Sequence, residues 1–407
     1  MKFNKYNISP EIKRSLEESG FHKPTDIQYK SLPQILSGQD ILAIAQTGTG
    51  KTAAFAIPLI SKIQSLKPRL EEQVVKAVVM VPTRELAIQI EQVFRDIGKY
   101  TSVVPVAVIG GVEIEPQLKK LKKADIVIAT PGRIMDLVYK GDLSLKKMEF
   151  LVLDEADRML EKGFYNDIEK LITLLPRRRQ TMFFSATINE TIKDLAYALV
   201  NKPVRIQLSP KDPVSKNVEH SVAFVEMDDK RFFLERVIRE NPDKKIIVFV
   251  RTKVRAERVA KAMERVNIST ETIHGDKEQK NRFEILNNFR SGENKILIAT
   301  DVSARGLDVK GVDYVVNYDL PELPENYVHR IGRTGRGTSK GRAVSFCSEE
   351  EKNYLEAIEG YIGKEVKELK LGKGDYQETI DFSEANPYDW KQLMVDAETQ
   401  PAKKKKK

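Results

Sequence analysis

Ile41-Leu42-Ala43-Ile44-Ala45-Gln46-Thr47-Gly48-Thr49-Gly50-Lys51-Thr52 runs from an unbroken apolar segment, through a glycine-bearing loop, into a helical pattern. Glycines let a backbone curl until its N–H groups, at the start of a helix, face phosphate oxygens. In such a loop Lys51 is placed to meet the β- and γ-phosphates, and the Thr52 hydroxyl to coordinate Mg²⁺. The strict phosphate-loop pattern begins with glycine, and here Ala45 holds that place. The departure is tolerable where that position keeps a negative φ, because only the later glycines need free backbone geometry. Gln46, Thr47, Gly48, Thr49, Gly50, Lys51 and Thr52 are therefore candidate nucleotide-binding residues.

Outward from this loop, short apolar runs alternate with longer helical patterns. The runs are Ile41–Ala45, Ala77–Val81, Val104–Ile109, Asp125–Ala129, Phe150–Leu153 and Thr181–Phe184 in the first half. In the second half they are Lys245–Val250, Thr270–Ile273, Lys295–Ala299, Tyr314–Asn317 and Ala343–Phe346. Near-continuous apolar strands separated by helices predict an α/β fold with mostly parallel sheets covered by helices on both faces. The two prolines and low apolar content of Leu208–Lys216 mark an interdomain linker. Two tandem domains are expected, over 1–207 and 217–371. An echo supports related halves: Ile126-Val127-Ile128-Ala129-Thr130 resembles Ile296-Leu297-Ile298-Ala299-Thr300. From 372 onward the chain loses both patterns, carries the single tryptophan, Trp390, and reads as a flexible tail.

Composition narrows the class. At 407 residues, 41% apolar and 31% charged, the chain has room for two globular domains. Its apolar runs are strand-sized, too short to span a bilayer, and Met1–Tyr6 has no signal-peptide core. Cys347 stands alone, which excludes an intrachain disulfide, and the four histidines lack metal-ligand spacing. A cytoplasmic monomer is the expectation. Of the net charge of +9, five units sit in Lys403 to Lys407, leaving +4 for the body. The lysine run suits either phosphate attraction or a solubilising end.

Chemically useful residues follow almost every strand, on the edge where open α/β sheets bind ligands. Asp154-Glu155-Ala156-Asp157 follows Phe150–Leu153. Acids at the end of a buried strand are costly unless a cation or hydrogen bonds compensate them. Asp154 is placed to hold Mg²⁺ and Glu155 to deprotonate an attacking water; an ordinary acid cluster at a helix N-terminus is the alternative. In Gly20–Gln28, Phe21, Thr25 and Gln28 precede the first strand. A glutamine amide can donate to adenine's ring and accept from its N6 amino group, a pattern guanine reverses. Phe3 could stack on the base.

Taken together, these segments resemble the DEAD-box ATP-dependent RNA helicases from Phe3 to about Leu371. Gly20–Gln28 is similar to that family's Q motif, Ala45–Thr52 to its phosphate loop including the alanine, and Asp154–Asp157 spells its name. Ser185-Ala186-Thr187 and His329-Arg330-Ile331-Gly332-Arg333-Thr334-Gly335-Arg336 match further family segments. The resemblance implies two RecA-like domains, ATP and Mg²⁺. It also implies arginine fingers at Arg333 and Arg336, which stabilise charge on the transferred phosphoryl group. Asp301, Gly306 and Asp308 would line the nucleotide-bound interface, while Asp157, Ser185, Thr187 and His329 would couple hydrolysis to remodelling.

By the same resemblance, RNA would contact Pro82, Thr83, Arg84, Gly110, Gly111, Thr130, Gly132, Arg133, Arg251, Thr252, Gly275, Gln279, Arg282 and Thr300. Arginines, hydroxyls and helix N-termini suit phosphates, so a sequence-independent grip on single-stranded or short duplex RNA is expected. The helix after Arg133 resembles the family's strand-bending wedge, although any amphipathic helix packs on a sheet. The expected activity is ATP-driven RNA duplex separation or ribonucleoprotein remodelling. An ATP-gated RNA clamp would use the same residues, and a DNA translocase is disfavoured by Phe3 and Gly20–Gln28. Tyr388 and Trp390 leave a protein partner for the tail open.

Overall fold

Where β-branched and large apolar residues follow one another without a charged break, the backbone extends and both faces are buried. The computed structural model describes residues 2–45, 48–66, 74–208, 214–301, 311–335, 340–370 and 372–384. The chain divides into two compact units, one built chiefly from residues before Val214 and the other from Val214 onward. In the first unit the strands are β1 (Ile41–Ile44), β2 (Ala77–Met80), β3 (Pro105–Val108), β4 (Ile126–Ala129), β5 (Phe150–Leu153), β6 (Gln180–Ser185) and β7 (Val204–Gln207). They form a seven-stranded sheet in the order β3-β4-β2-β5-β6-β1-β7, every pairing parallel.

In the second unit β8 (Val218–Phe224), β9 (Ile246–Val250), β10 (Glu271–Ile273), β11 (Ile296–Thr300), β12 (Tyr314–Asn317), β13 (Gly341–Cys347) and β14 (Lys367–Glu368) follow. Their order is β10-β11-β9-β12-β13-β8-β14, again all parallel. Each strand has the place of the strand seven earlier in the chain. The echoing segments Ile126–Thr130 and Ile296–Thr300 therefore fall on topologically equivalent strands, β4 and β11.

Helices cover the sheets by placing one apolar stripe inward. In the helix Arg84–Ile97 that stripe is Leu86, Ala87, Ile90, Phe94 and Ile97. Val127, Leu151, Leu153 and Phe183 are fully buried in the first core, and Val248, Val250, Ile298 and Val316 in the second. Each such side chain contributes about 1.5–3 kcal/mol relative to exposure. Among the described residues no helix is long and apolar enough to cross a membrane.

Several segments differ from expectation. β7 and β8 fall outside the apolar runs, because Val204-Arg205-Ile206-Gln207 and Val218–Phe224 interleave polar side chains. β7 is an edge strand with Arg205 and Gln207 exposed, and β8 leaves Glu219 and Phe224 exposed. Residues 373–384, expected to be flexible, form a helix (Lys373–Glu384) on the helix Lys230–Glu240. Its Tyr376 ring lies 4.9 Å from Phe233, and Arg236 donates to Thr379 at 2.6 Å. Of the linker, 209–213 lies outside the described residues, as do Tyr388, Trp390 and the lysine run.

Candidate functional site

In the first unit the phosphate loop joins β1 to the helix Lys51–Leu66. Gly48 and Gly50 have φ of +82° and +92°, where L side chains are strained. A Cβ on Gly50 would also lie 2.6 Å from Gln28 Nε2. Lys51 is buried and donates to the Ala45 carbonyl at 2.9 Å. Thr52 is on the first turn of the helix, and Gln46 and Thr47 lie outside the described residues.

Gln28, 2% exposed, accepts from the Thr25 N–H at 3.0 Å and donates to the Gly50 carbonyl at 3.1 Å. It thereby ties the capping box that opens the helix Asp26–Leu36 to the phosphate loop. Among the described residues, one N–H and one lone pair of its amide have no further partner. Phe3 is buried with its ring 6.3 Å from Tyr6, whereas Phe21 is 48% exposed. Of the two candidate aromatics, Phe21 is the exposed one.

Asp154 follows β5, and its Oδ1 accepts the Glu155 N–H at 3.0 Å. Burial pushes its carboxyl up to about 6; Lys51 opposes the shift, and Glu155 and Asp157 add to it. Glu155 is held in the left-handed region, φ 52° and ψ 51°, as it caps the helix Ala156–Glu161. For a residue with a Cβ this costs about 1–2 kcal/mol. Asp157 bridges segments: its Oδ2 accepts the N–H groups of Ala186 (3.2 Å) and Thr187 (3.0 Å) and the Thr187 hydroxyl (3.2 Å). Ser185 is fully buried, and its carbonyl accepts the Ala45 N–H at 2.9 Å. Phosphate loop, acids and Ser185–Thr187 thus converge at the carboxyl edge of β1, β5 and β6.

Farther along that edge, Pro82 and Thr83 follow β2, and Thr83 caps its helix by accepting the Leu86 N–H at 3.1 Å. Arg84 and Arg133 converge on Gly110-Gly111, where a Cβ on Gly111 would lie 2.5 Å from Arg84 Nη1 and one on Gly110 3.5 Å from Arg133 Nη2. Arg133 is aimed by its own neighbours: Nη1 donates to Asp136 at 2.8 Å and Nη2 to the Ile109 carbonyl at 3.1 Å. Thr130 is the N-cap of the helix Pro131–Tyr139, and Gly132 lies in its first turn.

The second unit carries its candidates on the equivalent edge. Thr252 caps the helix Lys253–Arg265 as Thr83 caps its own, accepting the Arg255 N–H at 3.1 Å. Gly275 follows β10 beside His274, whose Nε2 lies 2.8 Å from Glu257. Gln279 and Arg282 begin the helix Gln279–Ser291, and Thr300 ends β11. Asp301, expected at the nucleotide interface, is held by Arg330 through a two-pronged ion pair of 2.6 and 2.8 Å. Arg330 is 2% exposed and also donates to the Asp319 carbonyl at 2.6 Å. This pairing with Asp301 is one that sequence alone does not assign to Arg330. Arg333 donates to the His329 carbonyl at 3.1 Å from the end of the helix Pro324–Ile331. Gly306, Asp308 and Arg336 lie outside the described residues.

Comparisons with known proteins accord with this layout. The family model described as DEAD/DEAH box helicase matches residues 25–195, and Helicase conserved C-terminal domain matches 229–338. The chain is 40% identical to ATP-dependent RNA helicase DbpA of Bacillus subtilis, covering 90% of this chain and 76% of that one. It is 41% identical to DEAD-box ATP-dependent RNA helicase CshA of Streptococcus pneumoniae, covering 91% and 70%. Among solved structures, S. cerevisiae Dbp5 bound to RNA and ADP BeF3 is similar with a TM-score of 0.82 at 30% identity, covering 95% of this chain and 100% of that one. Mss116p bound to ssRNA and AMP-PNP gives the same TM-score of 0.82 at 28% identity, covering 96% and 83%.

Proposed function

This chain belongs to the DEAD-box ATP-dependent RNA helicases, and from that membership we propose how its own residues couple ATP hydrolysis to RNA remodelling. The observation that carries the reading is the convergence of Lys51, Asp154 and the Asp157–Thr187 bridge at one strand edge. Lys51 leaves the Ala45 carbonyl to meet the β- and γ-phosphates of ATP, for which that carbonyl is a stand-in acceptor. Gln28 and Phe21 define the adenine side. Glu155, positioned by its left-handed backbone, takes the proton of the attacking water. Arg333, with Arg336, supplies positive charge to the transferred phosphoryl group from the second unit.

Mg²⁺ fits the donors present. Asp154 is a buried carboxylate whose charge Lys51 and the Glu155 N–H offset less than burial disfavours it, and Thr52 offers a hydroxyl in the first turn of the adjoining helix. Two protein oxygens suit an ion that keeps waters and takes phosphate oxygens for its remaining positions. When bound it would neutralise charge on the phosphates.

RNA runs over Arg84, Gly110-Gly111, Thr130 and Arg133 in the first unit and over Arg251, Thr252, Gly275, Gln279, Arg282 and Thr300 in the second. Backbone amides, hydroxyls and guanidinium groups dominate this set, so the grip is on phosphates and sugars rather than base edges. Asp157 links the acids to Ser185–Thr187, the route by which hydrolysis alters that grip; His329 is its counterpart in the second unit. A cytoplasmic monomer remains our reading. The test is Glu155→Gln: ATP and RNA are retained together while turnover falls by roughly 10²–10⁴-fold. Turnover at the parental rate would remove Glu155 as the base.

A further inference from the structure

The second unit contains a charged cluster outside the phosphate chemistry. Lys230, with no exposed surface, donates to Glu351 and to the Tyr318 carbonyl at 2.9 Å. Glu351, equally buried, accepts from Arg251 Nη2 at 2.9 Å and the Leu320 N–H at 3.2 Å on Oε1, and from the Ser348 N–H at 3.2 Å on Oε2. Asp319 accepts the Arg251 N–H at 3.1 Å and lies 3.3 Å from Arg255. These groups come from the carboxyl ends of neighbouring strands. Arg251 follows β9, Asp319 follows β12, Glu351 follows β13, and Lys230 opens the helix after β8.

A buried ion pair gives little stability over an apolar pair of the same shape, so stability is a weak reason for this arrangement. Its geometry gives a better one. Three cations, Lys230, Arg251 and Arg255, face two carboxylates, Glu351 and Asp319, leaving an excess of one positive charge. Lys230 is sealed in, whereas the Arg251 side chain is 27% exposed. The Arg251 guanidinium is fixed on one side by Glu351 and lies 5.4 Å from the Tyr354 ring centroid. No hydrogen bond among the described residues engages its Nε or Nη1. Lys230 compensates the Glu351 charge from below, and the excess charge falls to the two partly exposed guanidinium groups, Arg251 and Arg255.

We propose that Glu351, hydrogen-bonded to Lys230 in the interior, is a positioning residue that aims Arg251 at an RNA phosphate. The inference rests on the reading of Arg251 as an RNA ligand. It extends that reading to two residues, Lys230 and Glu351, that belong to none of the short motifs quoted from the sequence above. Glu351 acts through Arg251 and does not touch the nucleic acid. Without it the guanidinium keeps its charge but loses its fixed direction, and part of each encounter with RNA goes to reordering it.

The test compares variants of the full chain in RNA-stimulated ATP hydrolysis. Glu351→Gln alone strands Lys230 without a counter-charge and can fail to fold, so the informative variant is Lys230→Met with Glu351→Gln, which removes both charges. We expect it to unfold near the parental temperature and to reach the parental kcat at saturating RNA. The RNA concentration for half-maximal rate should rise about tenfold, the loss of one charge-assisted contact. The slope of log affinity against log salt should become shallower by up to about one. Arg251→Gln should raise the half-saturating RNA concentration similarly, and to no greater extent when added to the double variant. If Arg251→Gln raises it and the double variant does not, positioning by Glu351 is wrong. If neither does, the RNA role of Arg251 is wrong and the inference falls with it. A drop in unfolding temperature and kcat at unchanged half-saturation would make the cluster purely structural and overturn the proposal.

Discussion

Asp154 shows at one carboxyl group what the site costs the fold. Its pKa rises from 3.8 to about 6 because burial disfavours the charged form more than Lys51 favours it. A raised folded-state pKa means that the folded chain binds the proton more tightly than the unfolded one. The resulting stability is fully present below pH 3.8 and is lost as pH rises through about 6. Metal-free Asp154→Asn should therefore be more stable than the parent at pH 7.5, by up to about 3 kcal/mol. The difference should vanish below pH 4. Urea unfolding in the presence of a chelator across this range measures it, and a pH-independent difference would contradict it. Lys51, Asp154 and Asp157 were legible in the sequence because their chemistry and their places after strands leave few alternatives. The exposure of Phe21 where Phe3 is buried, and the pairing of Arg330 with Asp301, were not. Both depend on which way a side chain turns once distant segments pack, and no local pattern encodes that.

Among elements, the long apolar runs announced their strands, while β7 and β8 hid theirs. Arg205, Gln207, Glu219 and Ser221 break the apolar pattern, and these strands are specified by partners remote in sequence. The helix Lys373–Glu384 hid for a related reason. It has few apolar residues, and a ring and several polar contacts hold it to the helix Lys230–Glu240 and to the residues just before that helix. The Tyr376 hydroxyl donates to Asp229 at 2.8 Å and accepts the Glu226 N–H at 3.1 Å, while the ring meets Phe233. Tyr376→Ala should cost about 2 kcal/mol of second-unit stability. Thermal unfolding would show the earlier transition, with kcat at saturating RNA unchanged. No change in unfolding would mean that the helix is not docked in solution.

For the whole molecule, the repeated strand order makes the division of labour concrete: one seven-stranded plan carries the phosphate loop and acids, and its repeat carries the arginines. Arg333→Ala should lower RNA-stimulated turnover by roughly 10³-fold with ATP binding little changed. Equal losses in ATP binding and turnover, measured with a fluorescent nucleotide, would place Arg333 in ground-state binding instead. The two-domain plan could be read from the sequence because glycine-, acid- and arginine-bearing loops follow strands in both halves. The strand order could not, since it is set by parallel pairings between segments far apart in the chain. That order has a consequence for biosynthesis. β1, which leads into the phosphate loop, is flanked by β6 and β7, the last strands of its unit to leave the ribosome. A nascent chain that has emerged only as far as β5 carries every phosphate-loop residue on a strand with neither neighbour, so it should bind no nucleotide and should present an apolar strand for chaperones to cover.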